Sequence, residues 1–424
     1  MGKAMITTAT RHTTRCALIA LCVSVAIAGA AGAADWPRFR GPNGTGFSSD
    51  HGVPVEFGEK KNLLWKVAVP GSGNSSPIVS KQRIFLQSAS ADGNQRTIYC
   101  FDLANGNTLW SKAVAGSTSV THPKNTLASS SAVADGLRVY MPFWDGRNIS
   151  IAAYDYAGSP LWTRDLGPYT SQHGAGLAPV VVNEKVIVAN DQDGSSEVVA
   201  LDAAKGEIAW RMPRPAHRAC YSTPLLLERP DATPDVLVAS TFGVSGYDPD
   251  SGAERWKWSW ESNERRLRTV GSPVVSHGRV FFSSGDGKGD RQTAAVNLNR
   301  EASAPDLAWE TRKLFLPYVP CMLTRGDYLY FVNDAGMAAC FVAKTGENVW
   351  LNRLEGGNFT ASPVMIEDRI YAVTENGTAI VLTADPTFKI LFTTQLDEGV
   401  MASPAVADGR LLVRGKEHLY CFGK

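Results

Sequence analysis

Helical periodicity, an excess charge of one sign and long apolar runs are missing from most of this chain. No segment beyond the N-terminal region shows the apolar spacing of an amphipathic helix, while Gly, Ser and Pro are spread evenly as turn residues. Lys and Arg number 42 against 41 Asp and Glu. Because the charges balance, no field favours nucleic acid or an anionic membrane. These absences predict an all-β protein that does not bind nucleic acid.

Cysteine is scarce, and its placement gives no disulfide framework. Among the seven cysteines, Cys100, Cys340 and Cys421 share one position of the repeat described below, where small buried residues are expected. Cys220 and Cys321 lie near the starts of two predicted strands, and their spacing leaves open whether they form a disulfide. No two cysteines are adjacent, and no Gly-x-Ser-x-Gly motif indicates an esterase.

The first 34 residues differ from the rest of the chain. Lys3, Arg11 and Arg15 precede an apolar run over residues 16–28, and Ala-Gly-Ala follows at residues 31–33. A basic start, a short apolar core and an Ala-x-Ala end are typical of a secretory signal peptide, and the run is too short to span a membrane. We predict that residues 1–34 are cleaved, that the protein is periplasmic or secreted, and that the mature chain has no transmembrane segment. An uncleaved membrane anchor is the alternative.

Tryptophan marks an internal repeat. Phe392 occupies an eighth equivalent position, and neighbouring positions are about 41 to 53 residues apart, a period typical of repeat architectures. The seven repeat tryptophans are Trp65, Trp110, Trp162, Trp210, Trp256, Trp309 and Trp350. Each repeat predicts one small sheet that buries its apolar faces only by stacking on its neighbours in a ring.

The same residue spacing recurs before three of these tryptophans. Asp102, Asp202 and Asp248 are each followed four residues later by Gly and eight residues later by Trp. Asp folds back on its own backbone in an Asx turn, and Gly supplies a positive φ at the end of the turn. We therefore predict that the Trp lies on the fourth strand, where its ring fills the gap between neighbouring sheets.

The two ends of the repeat region complement each other. The last repeat stops after its third strand at Lys424, and the first Trp segment, residues 63–69, has no three strands before it. Joining them closes the ring and removes two exposed sheet edges. We predict one domain over residues 63–424, an eight-bladed β-propeller closed by the N-terminal strand on the C-terminal blade, preceded by a lead-in segment at residues 35–62. A seven-bladed ring is the alternative, and a monomer is expected.

The repeat resembles that of pyrroloquinoline quinone (PQQ) enzyme-like propellers over nearly all of residues 63–424. Two branches are implied: quinoprotein dehydrogenases, which hold PQQ and Ca²⁺ at the ring centre, and the propeller lipoprotein of the outer-membrane β-barrel assembly machinery, which is a scaffold. Residues 35–46, Asp-Trp-Pro-Arg-Phe-Arg-Gly-Pro-Asn-Gly-Thr-Gly, are similar to the start of exported PQQ-like proteins of planctomycete-type bacteria. Residues 122–130 and 173–176 resemble inner segments of that group.

The chain departs from both branches. It lacks the adjacent cysteines that lie over the quinone, and its first-strand entries offer mostly Ser, Thr, Ala, Gly and Pro instead of a carboxylate set for calcium. Leu21 before Cys22 makes a poor lipidation signal. We therefore predict no cofactor, metal site or catalytic residue, and keep a reduced PQQ-dependent dehydrogenase of alcohols or sugars, with calcium, as the alternative.

Polar residues concentrate in the loops that enter the first strands, and such loops on a rigid ring are common binding sites. Small entry residues predict an axial channel that stays open. We expect a protein, peptide or glycan ligand at one mouth of this channel, anchored by Arg contacts with a carboxylate or phosphate. The candidate residues are His122, Asn125, His173, His217, Arg218 and Arg268. The function predicted from sequence is thus an exported, non-enzymatic binding or scaffold propeller.

Overall fold

The computed structural model describes residues 1–2, 35–229, 232–260, 267–298 and 304–424. The predicted signal peptide therefore lies almost entirely outside the described residues. Eight separate sheets follow one another along the chain, and each is an antiparallel blade whose first strand lies nearest the central axis. The eight-bladed propeller predicted from the sequence is confirmed.

The strands of each blade are given from the axis outward. Blade 1 contains Ile78–Ser80, Arg83–Ala89, Gln95–Asp102 and Thr108–Ala115; blade 2 Val133–Ala134, Arg138–Trp144, Asn148–Asp155 and Pro160–Pro168; blade 3 Val180–Val182, Lys185–Asn190, Ser196–Asp202 and Ile208–Arg214; blade 4 Leu225–Arg229, Ala232–Ser240, Gly243–Tyr247 and Glu254–Ser259. Blade 5 contains Val274–Ser276, Arg279–Gly285, Arg291–Asn297 and Asp306–Arg312; blade 6 Leu323–Arg325, Tyr328–Val332, Met337–Val342 and Asn348–Arg353; blade 7 Val364–Ile366, Arg369–Val373, Thr378–Thr383 and Ile390–Gln395; blade 8 Ala405–Ala407, Arg410–Arg414, His418–Phe422 and Leu63–Ala68.

Ring closure occurs in blade 8. Leu63–Ala68 pairs antiparallel with His418–Phe422, from Leu63 opposite Phe422 to Ala68 opposite His418. The blade thus takes its outermost strand from the start of the domain and the other three from its end. This confirms the predicted closure, and it covers the edge that the last strand would otherwise expose.

The repeated Asp, Gly and Trp form the junction between one blade and the next. The Asp102 carboxylate accepts the backbone N–H groups of Ala104 and Asn105, as expected for an Asx turn. Gly106 has a φ of 74°, and a Cβ added there would lie 2.7 Å from the Trp65 ring of the preceding blade. The Trp65 indole N–H donates to the Leu103 carbonyl at 3.1 Å. The turn therefore needs glycine both for its backbone angle and for the ring packed on it.

Most of the other repeat tryptophans make the same junction, although Trp256 donates instead to Asp235 of its own blade. The remaining junction contacts, donor indole first, are Trp110 with Tyr156, Trp162 with Ala203, Trp210 with Pro249, Trp309 with Ala343, and Trp350 with Asp385. The core lies between neighbouring blades. Ile78 and Phe85 of blade 1, for example, pack with Val139 and Met141 of blade 2, all fully buried.

Small polar residues at the strand entries form a belt around the axis. In six places the backbone N–H of one entry donates to the hydroxyl or thiol of the entry in the next blade. The pairs, donor first, are Ser403 with Ser76, Ser76 with Ser131, Thr223 with Ser272, Ser272 with Cys321, Cys321 with Ser362, and Ser362 with Ser403. The belt accounts for small polar residues at these positions. Cys220 and Cys321, whose pairing the sequence left open, are both buried free thiols.

The lead-in segment crosses the central channel at the end away from the strand entries. Trp36 forms a bridge with Val79 of blade 1, and Arg38 with Val133 of blade 2. A 3₁₀ turn at Pro42–Gly44 follows, after which Phe47–Ser48 adds a parallel strand to Val364–Ile366 of blade 7. The prediction that the channel stays open is therefore wrong at this end, because residues 35–48 fill it.

Two buried arginines fix the lead-in inside the channel. Arg40 donates to the carbonyls of Gly44, Thr45, Met322 and Pro363, at 3.2, 2.9, 2.7 and 3.3 Å. Arg38 donates to the Pro224 carbonyl. Burial lowers the pKa of Arg38 to about 10, so it still carries its charge near neutral pH. The guanidinium groups thus join the lead-in to blades 4, 6 and 7 through backbone oxygens, which no side-chain pattern in the sequence records.

Candidate functional site

The opposite end of the channel is a blind cavity of about 600 Å³. Its floor includes Phe39 of the lead-in together with belt residues such as Ser76 and Ser131, and its walls are the loops entering the first strands. This volume is within the range of small-ligand sites. The structure therefore gives the propeller one filled mouth and one accessible mouth.

Five of the six candidate residues line this cavity. They are His122, Asn125, His173, Arg218 and Arg268. His217 is placed differently: its exposed ring stacks on Phe242 with ring centroids 4.1 Å apart, and it is not among the lining residues. Loop position alone predicted which residues gather at this face, but it did not predict the direction of the His217 side chain. A shared ligand for these residues stays a prediction.

The loops of blades 2 and 3 are joined beneath the two histidines. The Asn125 amide donates to the carbonyls of His173 and Ala175 at 2.7 and 3.2 Å. The rings of His122 and His173 meet edge to face with centroids 5.0 Å apart. Burial and the positive charge of Arg268 lower the pKa of His173 to about 4. His173 is therefore neutral near pH 7, where it offers hydrogen bonds but no charge.

Arg268 is the buried cation of the cavity. Arg268 is only 3 % exposed, and its backbone pairs with that of Gly285 in blade 5. Its nearest carboxylate oxygen is Oδ1 of Asp193, 4.0 Å from Nη2, and that oxygen already accepts the Ala219 N–H at 2.9 Å. Nε of Arg268 has no hydrogen-bond partner among the described residues. A buried guanidinium with unused donors is costly unless a ligand completes it.

Other charges around the mouth are largely balanced. Lys124 forms an ion pair with Glu375 at 2.6 Å, which connects the loop before blade 2 to a hairpin of blade 7. Asp286 and Lys288 both line the mouth from blade 5. Lys124 lies between the candidate residues His122 and Asn125, but the sequence did not indicate Glu375, since nothing local marks a contact between loops 251 residues apart.

Two tyrosines that the sequence did not indicate also line the cavity. The Tyr221 hydroxyl donates to the Gly174 carbonyl at 3.0 Å and lies 2.9 Å from the Ser171 hydroxyl. Tyr318 carries the Arg291 guanidinium over its ring, 4.7 Å from the centroid. Burial raises the pKa of Tyr221 to about 12, so its hydroxyl stays protonated. These residues give the walls neutral hydroxyl groups and aromatic surface.

The donor set does not fit a calcium-bound quinone. No cluster of three His, Cys, Asp or Glu side chains suited to a metal occurs within the described ranges. The carboxylates at the cavity already have partners. Asp286, which lines the mouth, accepts the Lys288 and Asp290 N–H groups. Asp193 accepts the Gln172 and Ala219 N–H groups, and Glu375 pairs with Lys124. Since a hard divalent cation needs several oxygens in one place, this cationic cavity offers calcium little.

Comparison with known proteins places this propeller in a family. The family profile described as outer membrane protein assembly factor BamB matches residues 43–154, 150–352 and 338–422. The chain belongs to the BamB family. BamB of Shewanella oneidensis is 27 % identical over 250 residues, which cover 52 % of this chain and 58 % of the relative. The alignment thus spans little more than half the length of that relative.

Solved structures show how widely the fold of this BamB-family chain is shared. BamB from Moraxella catarrhalis superposes with a TM-score of 0.62 at 15 % identity, over 85 % of this chain and 97 % of the other. The quinohemoprotein alcohol dehydrogenase from Comamonas testosteroni gives 0.64 at 13 % identity, over 92 % and 80 % of the two chains. At these identities the likeness concerns the fold alone, so the site must decide the function.

Proposed function

We propose that this protein is an exported, non-enzymatic scaffold of the periplasm that works at the outer membrane and binds a polypeptide partner at its accessible cavity. Family membership and the assembly-factor name of its Shewanella relative support a protein as the partner. A glycan at the same cavity is the competing ligand. The residues proposed to contact the partner are His122, Asn125, His173, Arg218 and Arg268.

The observation that carries this proposal is the difference between the two mouths. One mouth is filled by the chain's own residues 35–48, whereas the other leaves a cavity of about 600 Å³ with a buried, incompletely paired arginine. A rigid ring that presents polar loops around one cavity is suited to binding. We assign no nucleophile, general base or metal ligand to this cavity.

Export is part of the proposal and rests on the sequence of residues 1–34. In the portion of the chain described by the structure, no helix is long and apolar enough to cross a membrane. Analysis of the mature N terminus by mass spectrometry tests export directly. Cleavage near Ala33 or Ala34 supports it, while a diacylglyceryl group on Cys22 would replace simple export with lipid anchoring.

Site-specific photo-crosslinking in living cells that carry the protein tests the scaffold function. A photoreactive phenylalanine analogue at Gln172, an exposed residue of the cavity mouth, should capture a discrete polypeptide. The same analogue at Leu109, which is exposed on the outermost strand of blade 1, is the matched control. Capture only from Leu109, or of a glycan from Gln172, contradicts the proposal.

A quinoprotein dehydrogenase is the alternative carried from the sequence, and the donor set argues against it. Purified protein mixed with PQQ and Ca²⁺ should show no dye reduction with a panel of alcohols and sugars. Turnover that depends on both additions would overturn the non-enzymatic assignment.

A further inference from the structure

We infer that the cavity receives the C-terminal carboxylate of a polypeptide, and that Arg268 and Arg218 hold it. This inference rests on the proposed function, since it specifies which part of a polypeptide partner enters the accessible mouth. Three observations carry it: the pairing of Arg268, the charge around it, and the closed floor of the cavity.

The pairing of Arg268 leaves donors for a ligand. Arg268 is 3 % exposed and lines the cavity. Its Nη2 lies 4.0 Å from Asp193, and its guanidinium also interacts with the Tyr318 hydroxyl. Nε is unpaired among the described residues but enclosed by the protein, so a ligand meets the two Nη groups. Asp193 is itself occupied by the N–H groups of Gln172 and Ala219. The planar guanidinium matches a carboxylate through two parallel hydrogen bonds, so a carboxylate completes what the protein leaves open.

The local charge suits a single negative charge. Arg268 and the exposed Arg218 contribute two positive charges, and Asp193 contributes one negative charge. The low pKa of His173 keeps its ring neutral near pH 7. Lys124 is paired with Glu375. Lys288 and Arg291 are offset by Asp286, which lies 3.9 Å from Arg291, and by Asp334, which also interacts with Arg291. The remaining charge is therefore about that of one cation. A carboxylate balances it, whereas a phosphate with nearly two negative charges would be left undercompensated.

The closed floor favours a chain end over an internal segment. Phe39 lies at the bottom of the cavity because residues 35–48 fill the channel behind it. An internal segment would have to turn inside the cavity and leave by the mouth through which it entered. A chain end enters once, and Leu177, Val270 and Met401 line walls on which its last side chains can pack.

Equilibrium dialysis against two peptide libraries tests the inference. One is a library of N-acetylated random tripeptides with free carboxyl termini, and the other is the same library amidated at the C terminus. Retained peptides are identified and quantified by mass spectrometry. We expect the free acids to be retained at least about tenfold better, because an unpaired buried guanidinium discriminates strongly against a ligand without the charge.

Variants connect the preference to the two arginines. Arg218→Ala should reduce retention of the free acids by at least about tenfold. Arg268→Lys should have the same effect, because lysine keeps the charge but lacks the planar guanidinium that makes two parallel hydrogen bonds. Arg211→Ala is the control, since Arg211 is exposed on the outermost strand of blade 3 and pairs with Glu197. Thermal unfolding of each variant shows whether a loss reflects binding or folding, and exposed Arg218 gives the clean case.

The outcomes separate this inference from the scaffold proposal. Three results would overturn the inference that a C-terminal carboxylate binds here. They are equal retention of both libraries, retention of amidated peptides only through an internal Asp or Glu, and no retention at all. If crosslinking from Gln172 still captures a polypeptide, the scaffold proposal survives that result. Failure of crosslinking at Gln172 removes the scaffold proposal itself.

Discussion

The two mouths of the channel are built on the same eight first strands, but Arg40 at one mouth and Arg268 at the other are paired differently. At the filled mouth, Arg40 meets four backbone carbonyls and needs nothing further. At the accessible mouth, Arg268 has a distant carboxylate and a free Nε. The first arrangement joins blades to the lead-in, and the second retains donors. Arg38 of the lead-in also has unpartnered nitrogens, Nε and Nη1, so incomplete pairing alone does not identify a binding arginine. Arg268 is the candidate because it also lines the accessible cavity.

Removing the filled mouth together with the closing strand should have the largest effect. Deletion of residues 35–70 takes away Leu63–Ala68 and leaves His418–Phe422 as an open, apolar edge. We expect the truncated protein to be insoluble or unfolded, since an unpaired edge promotes aggregation. Solubility and circular dichroism measure this, and a synthetic 35–70 fragment added during refolding should restore the fold. A soluble truncated protein with native stability would show that closure is dispensable.

A single residue of the filled mouth should also matter. Arg40→Met keeps the apolar stem but leaves the carbonyls of Gly44, Thr45, Met322 and Pro363 without their donor. We expect a loss of roughly 3 to 5 kcal/mol in the free energy of unfolding, measured with urea. Arg147→Met is the control, because Arg147 is exposed. Equal stability of the two variants would mean that the lead-in does not fasten the ring.

The blade junctions offer a comparison of two glycines that belong to neither mouth. Gly206 and Gly278 have φ values of 70° and 68°, but a Cβ at Gly206 would lie 2.4 Å from the Trp162 ring, whereas nothing lies within 4 Å at Gly278. Gly278→Ala should cost about 1 kcal/mol of unfolding free energy for the backbone alone. Gly206→Ala should cost roughly 1 to 3 kcal/mol more through overpacking. If urea unfolding shows equal losses, the Trp junction does not contribute as described.

The parts of the fold that could be predicted from sequence are those encoded by neighbouring repeats. Trp162 and Gly206 meet because successive blades place them together, so the repeat spacing predicts the junction, the blade count and the closure. The path of the lead-in could not be predicted in this way. Arg38 and Arg40 donate to carbonyls 186 and 282 residues away, and every residue carries such an oxygen.

The candidate site shows the same division. Loop position predicted the gathering of His122, His173 and Arg268 on one face, because all strand entries of a propeller lie at the same end. It did not predict that His217 stacks on Phe242, nor that Glu375 reaches Lys124. Those contacts depend on side-chain direction and on pairs of loops that are distant in sequence.

The smallest expected effect concerns His173 at the accessible mouth. Burial and Arg268 lower its pKa from 6.5 to about 4 in the folded protein, so between these values the unfolded chain binds more protons and stability rises with pH. His173→Gln removes this contribution, and its unfolding free energy relative to the parent protein should therefore increase as the pH falls from 6.5 to 4. Burial raises the pKa of Asp191 to about 6, so its contribution to the unfolding free energy changes with pH in the opposite direction. This contribution is common to both proteins and cancels in the difference. Urea unfolding across this pH range measures the effect, and parallel curves for the two proteins would show that the His173 ring is as well solvated as in the unfolded chain.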